Sequence, residues 1–475
     1  MSAEQPKIQL CLAFNGPEGD EVRPKTMEGI EAPTTTRATD RPASAALMEE
    51  VCDRENLKRA LQRVKSNKGS AGVDGMTVDE LPAYLKAHWP AIRSQLLSGT
   101  YQPQPVRRVE IPKPGGGLRA LGIPTVLDRF IQQAVLQVLQ RDWDPTFSES
   151  SYGFRPGRSA HQAVARAQRY VAGGSGWVVD LDLEKFFDRV NHDQLMGRVA
   201  QRVADQRLRR LLRGYLNAGV MAEGLVSPTD EGTPQGGPLS PLLSNLVLDV
   251  LDRELERRGL RFVRYADDCH IYVRSRRAGQ RVMASVTRFL TTRLSLTVNA
   301  AKSAVARPWE RKLLGFSFTS GPTPKRRVAL QAVARMKARV RILTRRTRGV
   351  SLHQMVRELA TYLTGWRGYF DFCETPTVLQ ALDSWIQRRL RCAIWKQWKR
   401  GPRRFAGLRA RGVGRDLAAQ TAGSPHGPWH LSLSPALSFA FPSAYFQSLG
   451  LPRLAARPTA SLHRTAVCGP ACTVV

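Results

Sequence analysis

Apolar residues recur along this chain with two periods, and the places where the period changes mark its elements. Spacing of 3.6 begins in "DRENLKRALQRV", where Leu57, Ala60, Leu61 and Val64 share a face and Asp53 is placed to cap a helix. A Gly-rich loop, "SNKGSAGVDGMT", follows. "RRVEIPKPGGGLRALGIPT" then predicts two short strands around the turn "KPGGG". "DRFIQQAVLQVLQRDW" carries Ile131, Ala134, Val135, Val138 and Leu139 on one stripe and predicts an amphipathic helix. In the middle third, "GWVVDLD" predicts a buried strand, and "SPLLSNLVLDVLDREL" a helix with Leu243, Leu246, Val247, Val250 and Leu251 on one face. "RFVRYADDCHIYVRS" predicts a hairpin, "AGQRVMASVTRFL" another helix, and "RKLLGFSF" a closing strand. The mixture implies an α+β sheet with helices on one side.

From about residue 328 the strand signals stop. Three helices follow, marked by Val333–Met336–Val340–Leu343, by Leu352–Val356–Leu359 and by Leu379–Leu382–Ile386–Leu390. Residues 405–475 are rich in Gly, Ser and Pro with short apolar runs, and their pattern assigns no fold. Residues 1–46, with repeated Pro, Thr and Gly and seven acidic against five basic residues, predict a mobile extension. There is no internal repeat.

Composition changes this picture in one respect. At 475 residues the chain accommodates two to four compact units. Its 72 Lys and Arg against 40 Asp and Glu leave +32, a one-sided charge that implies a polyanionic partner. No apolar run of about 18 residues exists to span a bilayer, so an anionic membrane surface would have to be met by a peripheral basic helix. Nucleic acid is the better match, because residues 331–404 alone hold 17 basic and four acidic residues. The N-terminus lacks a basic and then apolar signal, and the seven scattered cysteines suggest reduced thiols, so a cytoplasmic location is expected.

The candidate chemistry lies in "RYADDCHIYV". Asp267 and Asp268 fall at the hairpin tip, where two adjacent carboxylates repel unless a cation lies between them. Asp182, at the end of "WVVDLD", supplies a third carboxylate. Three aspartates can clamp two magnesium ions, activate a 3′-hydroxyl and stabilise a leaving pyrophosphate. The competing reading is a polar turn, which is what most "DD" pairs are.

"YADD", preceded by "GTPQGGPLSPLLSN", "DLEKFFDRVNH", "RALGIPTVLDRFIQQAV" and "SYGFRPGRSAHQAV", resembles the reverse transcriptases encoded by bacterial group II introns, in their compact type without an endonuclease domain. The ordered blocks run from about residue 50 to residue 400. The resemblance implies a right-hand polymerase with an RRM-like antiparallel palm sheet, fingers, and an all-α thumb and maturase bundle. It implies fingers over 47–160, a palm with a fingers return over 161–325, a thumb and maturase domain over 326–402, and a DNA-binding-like tail over 403–475.

By the same resemblance, Asp182, Asp267 and Asp268 are the catalytic metal ligands, for Mg2+ with Mn2+ as a substitute. Phe187 excludes a ribose 2′-hydroxyl, its alternative being a core aromatic beside Phe186. Gln235 lies near the incoming nucleotide. Lys113 and Arg119 grip its triphosphate, or else decorate a solvated fingertip loop. Lys302 protonates the leaving pyrophosphate. "RALGIP" departs from the family's usual "RPLGIP" without touching a catalytic atom.

The segments "GWRGYF" and "WKQWKR" are similar to the maturase domain, which implies intron RNA on Arg388, Arg389, Arg391, Lys396, Lys399 and Arg400, with aromatics interleaved for stacking. The alternative is an ordinary bundle with a solvated basic face. The implied partners are group II intron RNA, an RNA template with a DNA primer or target DNA, and deoxynucleotides, with no membrane. In the tail, "HGPWH" and "CGPAC" have ligand-like spacing, yet unliganded residues are expected there. Three other functions compete: a splicing cofactor with a vestigial polymerase, a reverse transcriptase co-opted for defence, and an RNA-dependent RNA polymerase, against which Phe187 speaks.

Overall fold

The computed structural model describes residues 46–112, 118–184, 186–222, 225–227 and 236–455. The expected N-terminal extension, Lys113, Gln235, Cys468 and Cys472 therefore lie outside the described residues. The chain forms two compact units that divide between Arg307 and Pro308.

The first unit contains α1 (Leu47–Val51), α2 (Arg54–Asn67), α3 (Leu81–Ser98), β1 (Val106–Pro112), β2 (Leu118–Ile123), α4 (Val126–Trp143) and α5 (Ala160–Ala172). It continues through β3 (Trp177–Leu181), α6 (His192–Arg202), α7 (Gln206–Asn217), β4 (Val220–Ala222), β5 (Leu225–Ser227) and α8 (Ser240–Arg257). It closes with β6 (Arg261–Tyr265), β7 (Asp268–Val273), α9 (Arg276–Leu294) and β8 (Ala304–Ala306). Local chemistry sets the helix starts. Asp53 accepts from the N–H groups of Glu55 and Asn56, Thr125 from that of Asp128, and Ser275 from that of Ala278, while Ser159 and Gln162 form a reciprocal capping box.

Two four-stranded sheets result. The first has the order β2-β1-β4-β5, with β1 and β2 antiparallel and β4 returning parallel to β1 from more than a hundred residues later. Sequence pattern predicts the first pair and misses the return, whose strands are only three residues long. The second sheet has the order β6-β7-β3-β8 and is antiparallel throughout. With α8 and α9 it forms the β-α-β-β-α-β arrangement of an RRM-like palm. One face of this sheet, with Val179, Leu181, Cys269 and Ile271, joins the core cluster that includes α8 and α9 residues such as Leu251 and Leu290. Helix α9 lies so close that a Cβ on Gly279 would stand 2.5 Å from Val305. The tilted ring pair Tyr170–Tyr272 brings α5 to the opposite face, so the helices are not all on one side.

The second unit opens with β9 (Phe316–Phe318) and β10 (Arg326–Val328), which pair only with each other. The expected closing strand is thus real but does not join the palm sheet. The boundary expected after residue 325 falls inside this hairpin, and the start of the helical region carries a strand. The cause is packing: buried Phe316 lies tilted against the Tyr369 and Phe370 rings and edge-to-face with Phe372, which ties β9 to the helices. The three expected helices follow as α10 (Leu330–Leu343), α11 (Leu352–Phe370) and α12 (Pro376–Gln397).

Beyond them the unassigned tail folds as α13 (Gly401–Arg409), α14 (Arg415–Gly423), α15 (Pro428–Leu431), α16 (Pro435–Ala440) and α17 (Ser443–Ser448). Helices of four to nine residues do not repeat often enough to show a period. Their stability comes from docking, as where Asp383 of α12 accepts the N–H groups of Leu454 and Ala455 at 2.9 and 3.1 Å. No helix among the described residues is long and apolar enough to cross a membrane.

Candidate active site

The palm sheet brings the three aspartates to one corner. Strand β3 ends at Leu181, which pairs with Cys269, so the next residues at that end of the two strands are Asp182 and Asp268. Asp182 is held through its backbone: its N–H donates to Ser303 Oγ at 3.0 Å, and its carbonyl accepts the Asn299 N–H at 2.8 Å. The hairpin turns through Ala266 and Asp267, with Tyr265 opposite Asp268 and Ala266 in the left-handed region at φ 56°. The adjacent acids thus occupy different positions, Asp267 at the tip and Asp268 at the first ladder pair.

Electrostatics mark the same corner. Desolvation, the adjacent Asp267 carboxylate, and then Asp180 and Asp182 push the Asp268 carboxyl up to about 6, against a smaller opposing effect of His270. The Asp268 side chain keeps an exposed face, so the neighbouring carboxylates are the cause that a bound cation would remove. Lys302, expected to serve a leaving pyrophosphate, stands with its Nζ 3.4 Å from Asp182 Oδ2 and acts as a counter-charge to that aspartate.

Among the described residues no group of three or more His, Cys, Asp or Glu side chains already stands close enough to hold a metal ion. The donors suit hard divalent cations in kind, being carboxylate oxygens.

Further residues share this face. Side chains alternate along a strand, so Asp180 lies on the side of Asp182, and His270 on that of Asp268. Asp180 Oδ1 and His270 Nε2 are 3.1 Å apart in a nearly buried pair beside the aspartates. Sequence reading missed this pair, although "DLD" and "DCH" place it at period two. Phe186 is buried and Phe187 is half-buried, their rings edge-to-face at 5.3 Å. Phe187 packs against the core cluster and is only partly buried, so both readings of it stand. Arg119 takes a ladder position opposite Ile111.

The basic residues of the second unit divide into two kinds. Arg388 stacks 3.8 Å from the Trp429 ring centroid and donates to the Trp429 carbonyl. Arg389 donates to Thr344 Oγ1, and Arg391 to the Phe441 carbonyl. These three arginines, expected to line the outside, are half-buried and join α12 to its neighbours. Lys396, Lys399 and Arg400 are exposed. Lys396 and Lys399 line a cavity of about 600 Å3 with Arg345, Arg346 and Arg404, near Ser351 at the start of α11. His426 and His430 are exposed with their rings 4.2 Å apart.

Two family models match this chain in order. Residues 111–318 match the reverse transcriptase (RNA-dependent DNA polymerase) family, and residues 333–412 match the group II intron maturase-specific domain. Protein YkfC of Escherichia coli is 41% identical over 220 residues, covering 45% of this chain and 58% of YkfC. The group II intron-encoded protein LtrA of Lactococcus lactis is 38% identical over 206 residues, covering 43% of this chain and 34% of LtrA. The matched part thus spans little more than half of one relative and about a third of the other. Among solved structures, a partial Cas6-RT-Cas1--Cas2 complex aligns with 25% identity and a TM-score of 0.34 over 52% of this chain and 42% of that one.

Proposed function

We propose that this chain, which carries a segment similar to reverse transcriptases followed by one similar to the group II intron maturase domain, copies RNA into DNA at the Asp182–Asp267–Asp268 corner and binds its intron RNA to promote splicing and mobility. One observation supports the catalytic half: the β3–β7 register delivers carboxylates to one end of the palm sheet, where burial and the adjacent Asp267 raise the Asp268 carboxyl above its ordinary value.

Reverse transcriptase domains depend on divalent metal ions. Asp182, Asp267 and Asp268 would hold two Mg2+, with Mn2+ as a substitute, and the ions would supply Lewis acidity for the 3′-hydroxyl and charge neutralisation for the leaving pyrophosphate. The other residues position and select. Phe187, partly buried five residues after Asp182, would collide with a ribose 2′-hydroxyl. Lys113 and Arg119, on either side of "PGGGL" in the sequence, suit a triphosphate as point charge and fork. Gln235 precedes α8 in "TPQGG" and would lie against the base or sugar of the incoming deoxynucleotide.

In the second unit, Lys396 and Lys399, with Arg345 and Arg346 lining the same cavity, and the exposed Arg400 form the surface for intron RNA. Arg388, Arg389 and Arg391 support that surface from within.

The test is primer extension on an RNA template with magnesium and deoxynucleotides, comparing the native chain with Asp267→Ala. Long cDNA from the native chain alone supports the polymerase. No synthesis from either, with intron RNA binding retained, replaces it with an RNA-binding splicing cofactor.

A further inference from the structure

The turn that carries Asp267 has a mount. Arg264, one of the largest fully buried side chains in the molecule, sits two residues before Ala266 on the core face of β6. Its Nε and Nη2 form a fork on Asp252 of α8 at 2.8 and 2.6 Å. Nη2 also donates to Ser151 Oγ at 2.8 Å, and Nη1 donates to Asn245 Oδ1 at 3.0 Å and to the Ala266 carbonyl at 2.9 Å. All five N–H donors of the guanidinium are therefore used.

The segment 150–153 closes the other side. The Arg264 N–H donates to the Ser150 carbonyl, the Tyr152 N–H donates to the Arg264 carbonyl, and Asn245 Nδ2 holds the Gly153 carbonyl. A Cβ on Gly153 would stand 2.3 Å from the Ala266 nitrogen, so only glycine lets this segment lie against the turn. Ala266 itself holds a left-handed φ that a non-glycine residue adopts at a cost, and its carbonyl is the group that Arg264 grips.

A buried ion pair alone would be architecture. The bond from Nη1 to Ala266 is different, because that carbonyl belongs to the peptide leading into Asp267, and the two acids beyond it repel each other. We propose that Arg264 is a positioning residue of the polymerase site: with Asp252, Asn245, Ser151 and Gly153 it fixes the Ala266–Asp267 turn so that Asp267 and Asp268 are preorganised to take divalent cations. The "SYGF" block is then the seat of the catalytic hairpin. Lysine cannot replace the fork, having three donors and no plane. This inference rests on the metal-ligand reading of the aspartates.

The experiment uses the full chain and Mn2+ as probe, with binding followed by electron paramagnetic resonance of the free ion. Hydrogen exchange over residues 262–270 is measured without metal, together with kcat and KM for a deoxynucleotide. Arg264→Lys is compared with Arg264→Met/Asp252→Leu, which removes both buried charges together and so avoids stranding one. Gly153→Ala disturbs the seat with every charge retained.

Variants that unfold cooperatively are expected to bind Mn2+ roughly 10- to 100-fold more weakly and to lose kcat by a similar factor. Exchange at 266–268 should be faster, with intron RNA binding unchanged. Folded variants that bind Mn2+ and extend primers within about twofold of the native chain overturn the inference. Mn2+ binding that survives Asp267→Ala overturns the metal-ligand reading, and this inference with it.

Discussion

The palm unit and the helical unit both rely on arginine, and they use it in opposite ways. In the palm unit Arg264 is sealed from solvent and spends every donor on named protein partners, one of which is the backbone carbonyl of Ala266. In the helical unit Arg388, Arg389 and Arg391 each make a bond or a ring contact within the unit but stay half-exposed, while Lys396, Lys399 and Arg400 face solvent. The difference teaches that a count of basic residues overstates a nucleic-acid surface. Cations that make internal bonds hold shape, and only the exposed remainder is accessible to a phosphate.

This contrast can be broken or sharpened by substitution. The largest effect is expected for Asp182→Ala and Asp267→Ala. On the proposed reading each removes a metal ligand, and the metal stabilises developing charge by several kcal/mol, so single-turnover primer extension should fall by a factor on the order of a thousand. Intron RNA affinity from filter binding should not move. Next in size, Phe187→Val should narrow the preference for deoxy- over ribonucleotides roughly ten- to a hundredfold, read as the ratio of kcat/KM values. An unchanged ratio would return Phe187 to the core.

Removing exposed charge should have a smaller and different signature. Lys396→Ala and Lys399→Ala should each weaken RNA binding across sequences and reduce the slope of log K against log salt by about 0.7 to 1, with the melting temperature unaffected. Arg391→Ala should do the reverse, costing about 1 kcal/mol in denaturant unfolding through its lost bond to Phe441 while leaving the salt slope in place. If Arg391→Ala flattens the slope and Lys396→Ala does not, the division between supporting and binding cations fails.

The smallest effect concerns pH. The folded-state carboxyl of Asp268 is raised above its ordinary value, to about 6, so its ionised form opposes folding at neutral pH. That cost is fully present above about 6 and is relieved as pH falls from there toward 4. Asp268→Asn should therefore raise the metal-free melting temperature at pH 7.5 and leave it unchanged at pH 4. Magnesium should stabilise the native chain more at pH 7.5 than at pH 5, since protonation competes with the ion.

Much of the fold was legible in the chain. The helices α2, α4, α8, α9, α10, α11 and α12 and the hairpins at residues 106–123 and 261–273 each show several turns or strand repeats of one period. The aspartates were legible because each follows or opens an apolar strand. Parity within those strands would also have exposed the Asp180–His270 pair. The two-stranded sheet at 316–328 and the helices of the tail were not legible as such. Their segments are three to nine residues long, and their apolar residues are buried by contacts with distant parts of the chain rather than by a face of their own.

By itself, then, the sequence determined which segments become helix or strand wherever periodicity runs long enough, the excess of positive charge, and the presence of three carboxylates at strand ends. Tertiary structure alone decided which cations remain for a partner and which are consumed in packing, because that depends on where Trp429, Thr344 and Phe441 come to lie. It also decided that Ser151, Gly153, Asn245, Asp252 and Arg264, spread over more than a hundred residues, meet behind one turn. Hydrogen-bond geometry is specified over tenths of an ångström, and only the assembled sheet and α8 set positions that finely.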